Sequence, residues 1–125
     1  MHLFAQTFVD ELPLLKRENV RVVFLGDISA LPKRTREVFE YGLNETAHHT
    51  GMVLALAVNY GARAELARAA RSLPRTSPLV APHRMRSTRL PSPPSLYTAG
   101  LPDPELIIRT SGELRLSNYL LWQAA

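Results

Sequence analysis

The sequence predicts an α/β fold in three layers, in which helices flank a mostly parallel sheet. Two apolar runs have the length of strands, and helical periodicity fills the residues before, between and after them. Strands that alternate with helices are typical of βαβ units, and such units build parallel sheets. A length of 125 residues suits one domain, so we assign residues 1–125 to a single α/β unit.

The N-terminal residues predict a helix followed by a strand. Apolar side chains recur at helical spacing at Phe4, Phe8, Leu12 and Leu15. Pro13 is expected to bend or interrupt this helix, because proline removes a hydrogen bond and clashes with the preceding turn. Asn19 is expected to end the helix, and residues 20–25 then predict a strand that Gly26-Asp27 stops.

A second helix and a second strand follow. The helix is expected to begin after Pro32, since proline is favoured in the first turn, and to end at Thr50-Gly51, where glycine suits the C-terminal position. Its inner face is predicted to hold Phe39, Leu43 and Ala47. Residues 52–58 form an uninterrupted apolar run, which suits a strand that is covered on both faces, as in parallel sheets.

The second half of the chain predicts a third helix, a last strand and a final helix. The third helix has its apolar residues at Leu66, Ala69, Ala70 and Leu73. Its outer face carries three arginines, Arg63, Arg68 and Arg71. Residues 105–109 predict the last strand, and Ser117 stands where the N-cap of the final helix is expected.

Residues 74–95 depart from this alternation. They contain six of the ten prolines and four arginines, but no acidic residue and no apolar period. This composition is typical of an unstructured connection. Two explanations remain open, a flexible linker or residues translated from a shifted reading frame. We favour the second, because the composition changes abruptly at both ends of the segment.

Charge and composition exclude several classes of function. The formal charge of +4 comes from residues 74–95, since the 11 lysines and arginines elsewhere equal the 11 acidic residues, so nucleic-acid binding is not expected. The absence of cysteine excludes disulfides and thiolate chemistry. No apolar run approaches the ~18 residues of a membrane span, and residues 1–3 show no secretory leader. We expect a cytoplasmic protein with at most peripheral contact with a membrane.

Three segments are expected to meet at one edge of the sheet. In open parallel sheets, ligands bind beyond the carboxyl ends of the strands. Residues 26–27, 59–63 and 109–117 all follow predicted strands. The sequence therefore predicts a ligand site at this edge.

The third of these segments carries the clearest chemistry. Arg109 and Arg115 can each offer a guanidinium fork to a phosphate, and Ser117 can add a hydroxyl at a helix N-terminus. Two such forks suit a diphosphate better than a carboxylate, and Glu113 is expected to orient them. The alternative stays open at this point: a surface turn whose arginines pair with the acidic neighbours Asp103, Glu105 and Glu113.

Residues 102–123 carry a resemblance to a known family. Their sequence, Pro-Asp-Pro-Glu-Leu-Ile-Ile-Arg-Thr-Ser-Gly-Glu-Leu-Arg-Leu-Ser-Asn-Tyr-Leu-Leu-Trp-Gln, resembles the C-terminal signature of the cis-prenyltransferases, in particular their bacterial undecaprenyl diphosphate synthase branch. The middle region of that family is also matched, by residues 20–27, 44–51 and 56–63. The resemblance covers residues 1–73 and 96–125 and leaves residues 74–95 unmatched.

The resemblance implies a fold and an activity. The fold is a sheet flanked by helices, usually in a homodimer. The activity is the Mg²⁺-assisted condensation of isopentenyl diphosphate onto an allylic diphosphate with cis geometry, as in undecaprenyl diphosphate synthesis. In that signature the arginines and the serine hold the isopentenyl diphosphate group. The resemblance therefore implies that the substrate-binding residues here are Arg109, Arg115, Leu116 and Ser117.

The sequence departs from the family pattern in its catalytic residues. The family's segment His-x-x-Asp-Gly-Asn-Gly-Arg-Trp, which carries the Mg²⁺-binding aspartate, has no counterpart in these 125 residues, and neither has the family's acidic ligand beyond the last helix. We therefore expect no catalytic residue and no metal ligand in this chain. We expect an incomplete cis-prenyltransferase that is inactive by itself. The alternative is a non-catalytic partner subunit of a complete cis-prenyltransferase.

Overall fold

A computed structural model describes residues 2–72 and 95–125, and these form two compact units, one ending at Asn59 and the other beginning at Tyr60. The helices and strands are α1 (His2–Arg17), β1 (Arg21–Leu25), α2 (Lys33–Thr46) and β2 (Val53–Ala57) in the first unit, and α3 (Ala62–Ser72) in the second. The expectation that residues 74–95 are unstructured falls outside the described residues, except at Ser95, and stays a prediction.

The two strands of the first unit pair in parallel. Arg21 lies beside Val53 at one end of the ladder, and Leu25 lies beside Ala57 at the other. The chain passes from β1 to β2 through α2, which packs on β1, while α1 packs on α2. This connection is the βαβ unit that the two apolar runs predicted, so the α/β class and the parallel pairing are confirmed.

Three aromatic rings form the centre of the first unit. Phe39 of α2 is fully buried, stacks on Phe24 of β1 with ring centroids 4.5 Å apart, and meets the Phe8 ring of α1 edge to face at 5.7 Å. Burying a side chain of this size contributes about 1.5–3 kcal/mol. Gly42 allows α1 to approach this closely, because a Cβ at position 42 would lie 2.3 Å from the Phe8 ring.

Thr46, whose side chain is fully buried, connects the last turn of α2 to β1 by a hydrogen bond. Its hydroxyl accepts a hydrogen bond from the Val22 backbone N–H at 3.1 Å and donates one to the Gly42 carbonyl oxygen at 2.9 Å. A strand N–H that would otherwise lack a partner is thus satisfied from the helix.

The predicted end of α2 was wrong. The helix ends at Thr46 rather than at Thr50-Gly51, and Ala47 is exposed instead of lying on the inner face. The chain leaves the helix early because it turns back toward the start of β1, where Nδ1 of His49 lies 2.8 Å from the Val20 carbonyl oxygen. A contact between residues so far apart in sequence outweighs the local preference of glycine for the helix end.

α1 continues through Pro13, so of the two predicted effects, a bend or an interruption, the interruption does not occur. Proline removes one hydrogen bond from the helix. Phe8 and Leu12, both buried, hold the turn before Pro13 against the core. Asn19, with a φ of 54°, follows the end of the helical residues as predicted.

The carboxyl ends of β1 and β2 meet at Gly26 and Asn59. Gly26 has a φ of 121°, and a Cβ there would lie 2.1 Å from the Val58 carbonyl oxygen, so only glycine fits between the two strand ends. Asn59 Nδ2 donates to the Asp27 carbonyl oxygen at 2.9 Å, and the Asp27 N–H donates to the Asn59 carbonyl oxygen. Two of the segments predicted to share a sheet edge are therefore adjacent.

α3 confirms the third predicted helix. Its exposed arginines are the predicted ones, Arg63, Arg68 and Arg71. Its buried face consists of Ala62, Glu65 and Ala69, so a carboxylate lies where the apolar pattern predicted none. The guanidinium group of Arg68 lies 4.1 Å above the Tyr97 ring and donates to the Ser95 carbonyl oxygen at 2.7 Å, which links α3 to the chain after residue 94.

The predicted last strand and final helix do not form. Residues 105–109 belong to no strand of the described sheet, and residues 117–124 follow turns and bends. A strand needs a neighbouring strand to take its backbone hydrogen bonds. Ser117 and Leu120 have φ values of 56° and 45°, which a right-handed helix does not contain. Ser117 is therefore not the N-cap of a helix.

Candidate anion-binding site

Arg109 is the centre of the predicted site. One of its guanidinium nitrogens, Nη1, donates to the Ser117 hydroxyl at 3.2 Å and also to the Arg115 carbonyl oxygen. The other, Nη2, donates to a Glu113 carboxylate oxygen at 2.7 Å. A single guanidinium group thus connects three residues of the segment that follows it.

Arg115 meets the same carboxylate from the other side. Its Nε donates to Glu113 Oε2 at 2.8 Å and its Nη2 donates to Oε1 at 3.0 Å, which is a bidentate pair. Both arginines therefore direct their donors at one anionic group. The contact that was expected to orient the arginines is present, although a plain surface turn would also pair them with Glu113.

The turn between the arginines brings them together. Ser111 and Gly112 have φ values of 70° and 66°, so two successive residues in the left-handed region reverse the chain. A Cβ at Gly112 would meet nothing within 4 Å, so this turn is open to solvent. An anion can therefore reach the two arginines without a rearrangement of the turn.

A cavity of about 650 Å³ adjoins the arginines. Its lining residues are Ile107, Ile108, Arg109, Glu113, Leu114, Arg115, Leu116, Ser117 and Tyr119. Leu116, the fourth predicted substrate-binding residue, is half-buried in this lining. The cavity combines charged donors with apolar side chains, as a ligand with a charged head and an apolar chain requires.

Sequence reasoning missed the residue after Ser117. Asn118 contacts the first turn of α3: its side-chain Oδ1 accepts from the Arg63 N–H at 2.9 Å, and its carbonyl oxygen accepts from the Ala62 N–H at 3.0 Å. It therefore caps a helix 55 residues earlier in the chain rather than one of its own. Within the second unit, Asn118 therefore connects the first turn of α3 to the residue that follows the arginine segment.

Sequence reasoning also missed a buried polar cluster around Glu65, which is 1% exposed. Its carboxylate accepts from the Tyr60 hydroxyl at 2.6 Å and from the Tyr97 N–H at 2.7 Å. Gln123 donates to it at 3.3 Å and to the Thr98 hydroxyl at 2.9 Å. Burial, together with the hydrogen bond to Glu65, raises the pKa of the Tyr60 hydroxyl above its ordinary value. The only signal in the sequence was the spacing of Glu65 with Ala62 and Ala69 on one helix face.

Neither a metal centre nor a membrane span is found in the part of the chain that the structure describes. No three His, Cys, Asp or Glu side chains of residues 2–72 and 95–125 lie close enough together to hold a metal ion. Within the same residues, no helix has the length and apolar character to cross a membrane.

Fold and site together define a class of protein: an α/β domain with parallel strands and an arginine-lined turn that can bind a phosphate-bearing ligand. The sequence model of the family described as "Putative undecaprenyl diphosphate synthase" matches residues 1–125. The chain therefore belongs to this family of prenyl transferases, as its resemblance to the cis-prenyltransferases implied.

Two isoprenyl transferases illustrate the extent of the similarity. That of Geobacillus kaustophilus is 44% identical over 127 residues, which cover 100% of this chain and 49% of the relative. That of Brucella abortus is 48% identical over 117 residues, which cover 92% of this chain and 45% of the relative. The chain thus spans about half the length of the curated relatives it matches.

Two solved structures have a fold similar to that of this chain. A probable undecaprenyl diphosphate synthase from Campylobacter jejuni superposes with a TM-score of 0.75 at 30% identity, over 98% of this chain and 54% of that one. Lavandulyl diphosphate synthase from Lavandula x intermedia, solved with dimethylallyl diphosphate, gives a TM-score of 0.72 at 27% identity, over 95% of this chain and 54% of that one. The chain therefore has part of the α/β fold of these enzymes.

Proposed function

We propose that residues 109–117 bind the diphosphate group of isopentenyl diphosphate, and that the whole protein condenses this substrate with an allylic diphosphate in cis geometry to make undecaprenyl diphosphate. The printed names of the relatives, isoprenyl transferase and undecaprenyl diphosphate synthase, support the reaction class. For the whole protein we propose a homodimer in the cytoplasm, with at most peripheral contact with a membrane.

One observation carries the assignment of the site: Arg109 and Arg115 direct their donors at a single carboxylate, while Arg109 also holds the Ser117 hydroxyl. A diphosphate offers more oxygens and more negative charge than a carboxylate, so it can replace Glu113 as the shared acceptor of both arginines. Ser117 then adds a hydroxyl to the same group. In the absence of ligand, Glu113 is the anionic group that the two arginines share.

The apolar part of the cavity suits the rest of such a substrate. Leu116, Leu114 and Ile107 line the cavity next to the arginines. A five-carbon isopentenyl chain can lie on these side chains while its diphosphate stays with Arg109 and Arg115. The residues of this chain would thus bind and orient one substrate, which lowers the entropic cost of bringing two reactants together.

Mg²⁺ belongs to the proposal on the ground of the family resemblance. A bound metal ion would neutralise charge on the departing allylic diphosphate. The donor set does not fit a resident metal ion: Glu113, the carboxylate of the site, accepts from both arginines, and no suitable group of ligands occurs in the described ranges 2–72 and 95–125.

The Arg109→Ala variant tests the assignment. Isothermal titration with isopentenyl diphosphate is expected to give a Kd about 10- to 100-fold higher than that of the unaltered chain, because hydrogen bonds to a charged group contribute about 1.5–3 kcal/mol each. Arg17→Ala is the matched control, since Arg17 is an exposed arginine that also pairs with a neighbouring glutamate, Glu18, but lies in the first unit.

A second titration, with dimethylallyl diphosphate, distinguishes the two substrates. The proposal expects Arg109→Ala to weaken binding of isopentenyl diphosphate far more than binding of the allylic compound. Equal losses for both would refute the assignment to the isopentenyl side. No loss for either would show that the arginine turn is not a diphosphate site.

A further inference from the structure

Residues 109–117, called here the anion-binding turn, have little packing of their own to hold them in place. Leu114, between the two arginines, is fully exposed, and Gly112 has open space around its Cα. Ser117 lies in the left-handed region at a φ of 56°, a conformation that costs a non-glycine residue free energy and persists only where its surroundings hold it. Arg109 contacts the Ser117 hydroxyl, but the backbone at Ser117 needs support from outside the turn.

Asn118 supplies two fixed points directly after Ser117. Its carbonyl oxygen and its side-chain Oδ1 accept from two successive backbone N–H groups of α3, those of Ala62 and Arg63, at 3.0 and 2.9 Å. Two hydrogen bonds from one residue to one helix end determine both its place and its orientation. The contact is close, since a Cβ at Gly61 would lie 2.7 Å from Asn118 Nδ2.

The helix end that Asn118 contacts is itself held firmly. Glu65, one turn further along α3 and buried, accepts from the Tyr97 N–H at 2.7 Å and from Gln123 at 3.3 Å. The chain is thus tied to α3 both before the arginine segment, at Tyr97, and after it, at Gln123. The first turn of α3 forms a fixed support between these two ties.

We propose that Asn118 is a positioning residue for the anion-binding turn, which through α3 fixes the Ser117 hydroxyl against Arg109. The inference rests on the proposed function of that turn. Asn118 does not touch the diphosphate. It acts through Ser117, so that the hydroxyl and the Arg109 fork are already aligned when the anion arrives, and binding does not have to order them.

The Asn118→Ala variant tests this role, with inorganic pyrophosphate as the titrated probe. Its Kd is expected to rise about tenfold, the equivalent of one well-placed hydrogen bond. Asn118→Ser is expected to restore most of the affinity, because a serine hydroxyl also accepts from a helix N–H group. Asn19→Ala is the matched control: the Asn19 side chain likewise accepts a backbone N–H, from Thr50 at 3.2 Å, but in the first unit.

A double-mutant cycle separates positioning from general stabilisation. Because Asn118 acts through Ser117, adding Asn118→Ala to Ser117→Ala is expected to raise the Kd little beyond that of Ser117→Ala alone. Gly61→Ala gives a second approach, since its methyl group displaces only the end of the Asn118 side chain. It is expected to raise the Kd about threefold even if Asn118→Ala does not fold.

The outcomes distinguish this inference from the function on which it rests. If Arg109→Ala raises the Kd for pyrophosphate while Asn118→Ala and Gly61→Ala leave it unchanged, the positioning role is wrong and the site stands. Additive effects of Ser117→Ala and Asn118→Ala, or an equal loss in Asn19→Ala, would also overturn it. If Arg109→Ala has no effect, the proposed function itself fails.

Discussion

Glu113 competes with any anion that enters the arginine turn. Its carboxylate accepts hydrogen bonds from Arg109 Nη2 at 2.7 Å, from Arg115 Nε at 2.8 Å and from Arg115 Nη2 at 3.0 Å. In the proposed site, a diphosphate accepts from these same donors. Glu113 must therefore release part of its hydrogen bonds when the ligand binds, and the free energy of these ion pairs is subtracted from the affinity.

The free energy that the ion pairs of Glu113 subtract from the affinity depends on how far water reaches these pairs. The Glu113 side chain is 39% exposed and that of Arg115 is 72% exposed, so water screens both ion pairs. Pairs of this kind contribute about 0–1 kcal/mol each. In Glu113→Gln the charge is removed while the size is kept, so pyrophosphate is expected to bind roughly 3- to 10-fold more tightly at low salt.

Titration calorimetry with inorganic pyrophosphate at low and at high salt measures this effect. The gain in affinity should shrink near 1 M salt, where charges are screened beyond about 3 Å. Glu45→Gln is the control, because Glu45 pairs with Lys16 in the first unit. If Glu113→Gln binds pyrophosphate as weakly as the unaltered chain or more weakly, competition is refuted, and the main effect of Glu113 is to orient the arginines.

Two further predictions concern stability. Thr46→Val should lower the free energy of unfolding in urea by about 1–3 kcal/mol, because the buried Val22 N–H loses its acceptor, whereas Thr46→Ser keeps the hydroxyl and should cost less; equal losses would contradict the role of the hydrogen bond. The pKa of Tyr60 is raised by burial and by Glu65, so the folded state favours the protonated hydroxyl. The stability that this gives is complete below the ordinary pKa of 10.0 and is lost as the pH rises above it. Urea unfolding at pH values above and below 10.0 should therefore show a decline that is smaller in Tyr60→Phe, and parallel declines would contradict the assignment.

The elements of the first unit could be predicted because each is encoded within its own segment. Residues 22–25 of the first strand and residues 53–57 of the second are continuous apolar runs, and Phe39 marks the inner face of the helix between them. The end of that helix could not be predicted. It depends on Thr46 and His49, whose partners in β1 and before it are 24 and 29 residues away in sequence.

The contacts among the residues of the arginine segment could be predicted in part, because these residues are close together in sequence. Arg109, Arg115 and Ser117 lie within nine residues of one another, and a glycine between them marks the turn. Asn118 and Glu65 were missed because each acts on a distant segment: Asn118 contacts Arg63, 55 residues away, and Glu65 accepts from Gln123, 58 residues away. Periodicity and spacing contain no information about such contacts.

The predicted strand at residues 105–109 is absent, so the contacts of Arg109 do not depend on a strand. An apolar run in the sequence indicates only that its side chains favour burial. A strand also requires a neighbouring strand whose backbone pairs with its N–H and C=O groups. Here Leu106 and Ile108 are 76% and 81% exposed, yet Arg109 still reaches Ser117. The contact between Arg109 and Ser117 forms without the strand and without a final helix, and the proposed support of this turn is the first turn of α3, to which Asn118 is hydrogen-bonded. In the proposed site, Ser117 acts through its hydroxyl beside Arg109, because no helix begins at Ser117.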